Sequence, residues 1–330
     1  MYRAILRQGW EITKKNKILL FFGFFTAFLG NGGAYEVIIK NYDDITNSGA
    51  RVSAILTSTR GLNLFQADFW ANIQSQFISE PSSAIFIVAL FLLLILAFLL
   101  ILWIIITSQV ALVKAIPLAQ NEKKLRFREI FSNGRGHFWQ VLCINILTSM
   151  ISWIILFFTG LFLISPFSSE QSLIITFLVF LVFFILNILI SLTLYFITVY
   201  AVAYMALQKR GLKESLLSAL KLFKENWLTS LEMAFLLFMI NITLSVGSVV
   251  VGIIMAMPFF LVMTVTLLSQ ATIISGFMLG AIFLIFIGLF IGVGSFLGVY
   301  QKACWILLFE KISRGEKMHR LFSFVKEKLS

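Results

Sequence analysis

Ala84 to Val113 reads AIFIVALFLLLILAFLLILWIIITSQVALV, a stretch of thirty residues with no charged side chain. A helix needs about 20 apolar residues to cross the ~30 Å hydrocarbon core of a bilayer. This stretch is longer, so it predicts a transmembrane helix that tilts or projects beyond the core. Hydrophobic residues make up 60% of the whole chain and charged residues only 12%, which excludes an ordinary soluble domain. The fold class indicated is an integral membrane protein.

Lys and Arg residues flank the apolar stretches in four short segments. Of the 26 Lys and Arg residues, 23 lie in residues 1–17, 114–137, 208–226 and 302–330. Short loops rich in Lys and Arg stay on the cytoplasmic side of a membrane. We therefore expect all four segments and both termini to be cytoplasmic, with the protein in the inner membrane. An even number of crossings must then connect each segment to the next.

Apolar length and this parity predict an all-α membrane protein with six transmembrane helices in three hairpin repeats. The predicted spans are about 18–39, 84–113, 138–165, 173–207, 228–257 and 277–309, with an outer loop at 40–83. Parity also allows four crossings after Trp227, but these would leave almost no turns. Pro258 to Ser275 is therefore expected to form an interfacial or re-entrant hairpin. Residues 1–30 also fit a cleavable signal peptide, which is the alternative for the first span.

The basic segments carry amphipathic stretches that lead into the spans. In residues 1–17, apolar or small residues recur at helical spacing: Tyr2, Ile5, Leu6, Gly9, Trp10 and Thr13. Residues 212–227 repeat the pattern, with Asn226 matching Asn16, and 126–139 form a weaker copy. Residues 310–330 form a further amphipathic tail. An apolar stripe opposite a basic face is typical of a helix in the interface plane, so we expect contact with lipid there.

One junction resembles a known family. Gly-Leu-Lys-Glu-Ser at 211–215 and Leu-Phe-Lys-Glu-Asn-Trp at 222–227 follow a long span that ends Ala-Tyr-Met-Ala at 203–206. This pattern resembles uncharacterised bacterial polytopic membrane proteins and the membrane domain of glycerophosphoryl diester phosphodiesterases. The resemblance implies a membrane architecture and no catalytic residues, because no stretch here could hold the soluble phosphodiesterase domain.

Four polar residues within the predicted spans are candidates for a site. Glu232 lies about 7 Å beyond Trp227 at 1.5 Å per residue, so we expect it to reach the interface or pair with a cytoplasmic Lys. Asn145, Asn187 and Asn241 are expected to form hydrogen bonds between helices. A polar substrate site that combines all four residues is the alternative.

The last predicted span carries glycines at four-residue spacing. The pairs are Gly276 and Gly280, Gly288 and Gly292, and Gly294 and Gly298. Glycines four apart let another helix backbone approach closely. We expect them to pack against a helix of the same chain, with a homodimer through this span as the alternative.

Few features of the sequence suggest chemistry. It contains no phosphate-binding loop, HExxH motif, CxxC motif or nucleophile elbow, so we expect no enzyme, no metal and no cofactor. The net charge of +11 lies beside apolar spans and indicates anionic lipid headgroups as partners, not nucleic acid. We expect a non-catalytic, lipid-associated or scaffolding membrane component. The alternative is a permease for a small or amphiphilic solute, suggested by the repeat and the glycine-rich span.

Overall fold

The computed structural model describes residues 2–27, 81–121, 126–164, 173–268 and 272–315. All regular structure in these ranges is helical, which confirms the predicted all-α class. The helices are α1 (Tyr2–Lys15), α2 (Ile18–Ala27), α3 (Pro81–Gln120), α4 (Phe127–Arg135), α5 (Phe138–Ile164), α6 (Leu173–Gln208), α7 (Leu212–Leu268) and α8 (Thr272–Ser313).

Five of the described helices are long and apolar enough to cross a membrane: α3, α5, α6, α7 and α8. Of the first predicted span, 18–39, the structure describes only α2, which has 10 residues. The remainder of that span lies outside the described residues. So do residues 40–80 of the predicted outer loop, residues 165–172 at the end of the third predicted span and before the fourth, and the tail beyond residue 315.

α7 and α8 are longer than the spans predicted for them. We expected Pro258 to Ser275 to form a hairpin, but α7 stays helical through Pro258 to Leu268, and α8 begins at Thr272. Apolar surroundings offer no water to the backbone, so residues on both sides of the proline keep their helical hydrogen bonds. A kink lies near the other end of α7, where Asn226 has φ −128° and ψ 29°.

The chain divides into two compact units. Unit 1 comprises Met1–Glu36, Ile105–Val141 and Phe196–Ser330, and unit 2 comprises Val37–Ile104 and Leu142–Tyr195. In unit 1, α8 packs against α1, α2 and α7. Aromatic and aliphatic side chains fill this core, among them Trp305, Tyr200, Phe22, Ile5 and Ile106. In unit 2, Phe180 and Phe184 pack against the buried Leu156.

The apolar face of α1 contacts protein, although we expected it to contact lipid. Tyr2, Ile5 and Ile12 are buried in unit 1, and α1 packs against α8. Gly9 makes this close approach feasible, because a Cβ atom there would lie 2.8 Å from the Cys304 Sγ. The start of α7 is packed in a similar way, with Ser215 and Ala219 fully buried.

A large apolar surface remains exposed on the long helices. Between Ile85 and Ile101, α3 exposes nearly every large side chain whose position is described, and between Phe277 and Ile291, α8 exposes more than half of its large side chains. Exposed apolar surface on this scale would be unfavourable in water. It is the surface expected of helices that face lipid, and it supports assignment as a membrane protein.

Candidate functional site

Glu232 lies inside unit 1 and does not reach the surface. Its side chain is only 6% exposed, so the prediction that it snorkels to the interface is wrong. The Tyr2 hydroxyl donates a 2.7 Å hydrogen bond to Glu232 Oε2 and thereby connects α1 to α7. Burial and the neighbouring carboxyl group of Glu232 both raise the pKa of Tyr2. Tyr2 therefore remains a protonated donor.

A second buried hydrogen bond lies close along α7. The Tyr200 and Ser230 hydroxyl oxygens are 2.7 Å apart, which connects α6 to α7. The Tyr200 ring also meets the ring of Trp305 on α8, edge to face, at 6.3 Å between centroids. Ser230 donates in turn to the carbonyl oxygen of Asn226, the residue at the kink. These contacts hold α1, α6, α7 and α8 together just beyond the kink.

The three asparagines of the predicted spans lie in different environments. In unit 2, Asn187 Nδ2 donates a 2.8 Å hydrogen bond to Thr159 Oγ1, between α6 and α5, which is the type of bond expected of packing amides. Asn145 is half-buried in the same unit. Asn241 belongs to unit 1, as Glu232 does.

Two amides in unit 1 are buried without a hydrogen-bond partner among the described residues. They are the side chains of Asn241 on α7 and Gln301 on α8, each only 1% exposed. Gly252 of α7 contacts Phe286 and Leu289 of α8, which sets the antiparallel register of the two helices. At 1.5 Å per residue from this contact, the Asn241 and Gln301 amides lie at depths that differ by about 4 Å. Gln301 was not among the predicted site residues, because its position beside Lys302 suggested an ordinary cytoplasmic end.

Most of the predicted glycine contacts are not observed. A Cβ atom added at Gly276, Gly280, Gly288, Gly292 or Gly294 would have no neighbour within 4 Å among the described residues. Of the six glycines, only Gly298 packs closely, since its added Cβ would lie 3.0 Å from the Gly23 carbonyl oxygen. The prediction that all three pairs pack against a helix of this chain is therefore wrong for the described residues.

Many exposed basic side chains of unit 1 fall on three of its segments, and we call this set of residues the basic end. Its exposed cations lie on α1, on α4 and around the start of α7: Arg3, Arg7, Lys14, Lys15, Arg128, Arg135, Lys209, Lys213, Lys221 and Lys224. Exposed tryptophans occur at the start of α5, where Trp139 is 76% exposed, and on α7, where Trp227 is 56% exposed. Tryptophan favours the interface between hydrocarbon and headgroups, so these residues indicate the headgroup level.

Lys114 and His137 are in contact in unit 1, and the charge of Lys209 acts on both. Lys114 of α3 donates a 2.8 Å hydrogen bond to the carbonyl oxygen of Asn133, and its Nζ lies 3.0 Å from His137 Nδ1. Gly134 allows this arrangement, because a Cβ there would lie 2.6 Å from the Thr107 carbonyl oxygen and hold α4 away from α3. Burial lowers the pKa of His137, and the charges of Lys114 and Lys209 lower it further. His137 is therefore a neutral acceptor for the Lys114 ammonium group.

Lys209 follows the last residue of α6 and has φ 54°, in the left-handed region. Glycine or asparagine is the usual residue at this position after a helix, and another side chain costs about 1–2 kcal/mol there. The neighbouring Arg210 is fully engaged: it donates to Ser218 at 2.8 Å, pairs with Glu214 and lies 4.9 Å from the Tyr204 ring centroid. Lys209 has no such partner among the described residues.

Other chemistry finds little support in this arrangement. Among the described residues, no three His, Cys, Asp or Glu side chains lie close enough together to hold a metal ion. Cys304 is buried and Cys143 is exposed, and both are free thiols.

Sequence analysis also missed Tyr2 and Lys114 as site residues. A signal was available for Lys114, since it is the first charge after the thirty apolar residues, but its partner was not evident.

No curated protein and no solved structure matches the chain. The family of unknown function DUF7544 does match, over residues 17–312. This range runs from the residue before α2 almost to the end of α8. It covers most of the chain, and the protein therefore belongs to the family of unknown function DUF7544.

Proposed function

We propose that the protein is a non-catalytic, multi-pass membrane component whose basic end binds anionic lipid headgroups. In this proposal, six spans in three hairpin repeats cross the inner membrane, and both termini are cytoplasmic. The Lys- and Arg-rich segments would then face the leaflet that carries anionic lipid.

The observation that supports this proposal is how α1 packs against the rest of unit 1. Its apolar side is buried against α8, while Arg3, Arg7 and Lys14 are exposed on its other side. The cations are therefore fixed to the membrane domain, and little conformational entropy is lost when they contact headgroups. Each Lys or Arg near an anionic surface contributes about 1 kcal/mol.

Reconstitution in nanodiscs tests this proposal. We expect the unfolding temperature to be higher in discs that contain phosphatidylglycerol and phosphatidylcholine than in discs of phosphatidylcholine alone. The R3Q/R7Q/K14Q variant should lose part of this difference, and added salt should reduce it. Equal unfolding temperatures of the unaltered protein in both kinds of disc would contradict the proposal.

A permease is the second candidate function. The observation that favours it is the pair of buried amides, Asn241 and Gln301, because unpartnered polar groups in a span can bind a polar solute. The N241C variant, in a background lacking Cys143, tests for an aqueous path. Labelling of residue 241 by a small charged thiol reagent, while the buried Cys304 stays unlabelled, supports a permease. Protection of both thiols contradicts it.

We also propose that two copies of the protein can form a homodimer through α8. The open glycines of α8 between Gly276 and Gly292 would be available to a second copy. Sedimentation of the G288L/G292L variant tests this arrangement, since bulky side chains there would prevent close packing of two helices.

A further inference from the structure

Three nitrogen-bearing side chains from three separate parts of unit 1 form a group at the basic end. Lys114 comes from α3, His137 immediately precedes α5, and Lys209 lies between α6 and α7. Lys114 and His137 are in direct contact at 3.0 Å, and the charge of Lys209 acts on both. We call these three residues the Lys114 cluster.

The cluster retains hydrogen-bond donors that the chain does not use. A lysine ammonium group has three N–H donors, and those of Lys114 have two acceptors among the described residues, Asn133 and His137. His137 accepts at Nδ1, so in the neutral ring Nε2 carries a hydrogen that can be donated. Lys209 adds a second ammonium group. Its N–H donors have no acceptor among the described residues.

The charge of the cluster is also unbalanced. Besides burial, the charges that lower the pKa of His137 are the positive charges of Lys114 and Lys209. Glu214, five residues after Lys209, pairs with Arg210. The positive charges of Lys114 and Lys209 repel each other, and a bound anion would reduce that repulsion. The α5 helix adds the positive end of its dipole, because the backbone carbonyl oxygen of His137 accepts a hydrogen bond from the Val141 N–H in the first turn.

The position of the cluster indicates what kind of anion reaches it. Trp139 lies two residues after His137 and is 76% exposed, which marks the level of lipid headgroups. Lys114 follows directly on the thirty apolar residues of α3. A phosphate group of a membrane lipid lies at this depth. The uniformly positive cluster disfavours headgroups that carry their own ammonium group.

We infer that Lys114, His137 and Lys209 form a binding site for the phosphate group of an anionic phospholipid. This inference rests on the proposed function and makes it specific, because it assigns recognition to one site within the basic end. Charge-assisted hydrogen bonds to a phosphate are the strong ones, so losing one donor should weaken binding about tenfold.

The test uses full-length protein in a neutral detergent. Thermal unfolding is followed while dioctanoylphosphatidylglycerol, dioctanoylphosphatidylcholine or inorganic phosphate is titrated. K209N removes the cation but keeps a residue that tolerates φ 54°. H137Q removes the ring. R314Q is the matched control, because Arg314 is an exposed cation just after α8 that lies outside the basic end and is not among the charges that act on the cluster.

We expect phosphatidylglycerol to stabilise the unaltered protein more than phosphatidylcholine does. The apparent Kd should rise about tenfold in K209N and in H137Q, and by less than about twofold in R314Q. If R314Q weakens binding as much as K209N, or if neither cluster variant weakens it, the site is overturned while the lipid dependence of the whole basic end stands. If inorganic phosphate binds with the same variant pattern and the lipid does not, the anion site is supported and the proposed lipid role fails.

Discussion

Tyr2 of α1 and Glu232 of α7 are 230 residues apart in the chain and share a 2.7 Å hydrogen bond inside unit 1. Both side chains are buried, at 4% and 6% exposure. A carboxyl group at this depth is costly unless it is hydrogen-bonded. The bond therefore explains how Glu232 is accommodated, and it attaches α1 to the rest of the unit.

Tyr2→Phe should lower the free energy of unfolding by about 2 kcal/mol, because it removes the hydrogen bond that Tyr2 donates to the buried carboxyl group of Glu232. The measurement is thermal or chemical unfolding in detergent. A double-mutant cycle with E232Q isolates the pair. Additive effects of the two substitutions would show that the two groups do not interact in solution.

Gly23→Ala should destabilise the protein by about 2 kcal/mol, because overpacking forces backbones apart. Its added Cβ would lie 2.5 Å from the carbonyl oxygen of Ser295 on α8. Gly280→Ala is the matched control, since a Cβ there meets nothing within 4 Å among the described residues. Unfolding temperatures of the two variants are compared, and equal loss in both would contradict the α2–α8 contact.

Asn187→Leu should cost about 1 kcal/mol, since it removes the hydrogen bond to Thr159 between α6 and α5. Asn241→Leu should cost nothing or stabilise the fold, because the Asn241 amide has no partner among the described residues. The readout is unfolding in detergent without added solute. A larger loss for Asn241→Leu than for Asn187→Leu would reverse this assignment.

Stability should fall as the pH drops below 6.5, and His137 should contribute to the fall. The pKa of His137 in the folded protein is lowered from its ordinary value of 6.5, with Lys114 and Lys209 as the facing charges. Below pH 6.5 the unfolded chain binds a proton that the folded protein does not, so stability decreases until the pH reaches the lowered pKa. Above pH 6.5 this residue has no effect.

The H137Q variant is the control for this pH dependence. Its unfolding temperature should change less between pH 7.5 and pH 5.5 than that of the unaltered protein, when both are measured in the same detergent. An identical slope in the two proteins would show that other groups cause the dependence.

A labelling experiment tests the predicted orientation of the basic end. Ser132 on α4 and Lys213 on α7 are exposed, whereas Ser215 is fully buried and would label poorly anywhere. In intact cells, single cysteines at positions 132 and 213, in a background lacking Cys143, should resist a membrane-impermeant reagent and label after lysis. Labelling from outside would contradict the cytoplasmic orientation and the charge-parity argument.

The membrane class and the helical structure were predictable because both depend on properties that run along the chain. Thirty uncharged residues at 84–113 require a span wherever they lie. The end of α7 was harder to predict, since Pro258 in a span does not stop a helix whose backbone has no water to bind.

What only the tertiary structure decided is which face of each helix meets which neighbour. Lipid tails are as apolar as leucine, so hydropathy cannot distinguish a glycine packed against Gly23, as Gly298 is, from an open one such as Gly280. The Tyr2–Glu232 bond and the meeting of Lys114, His137 and Lys209 likewise depend on residues far apart in sequence. Local pattern sets how each helix is built, and contacts between distant helices set where its polar groups find their partners.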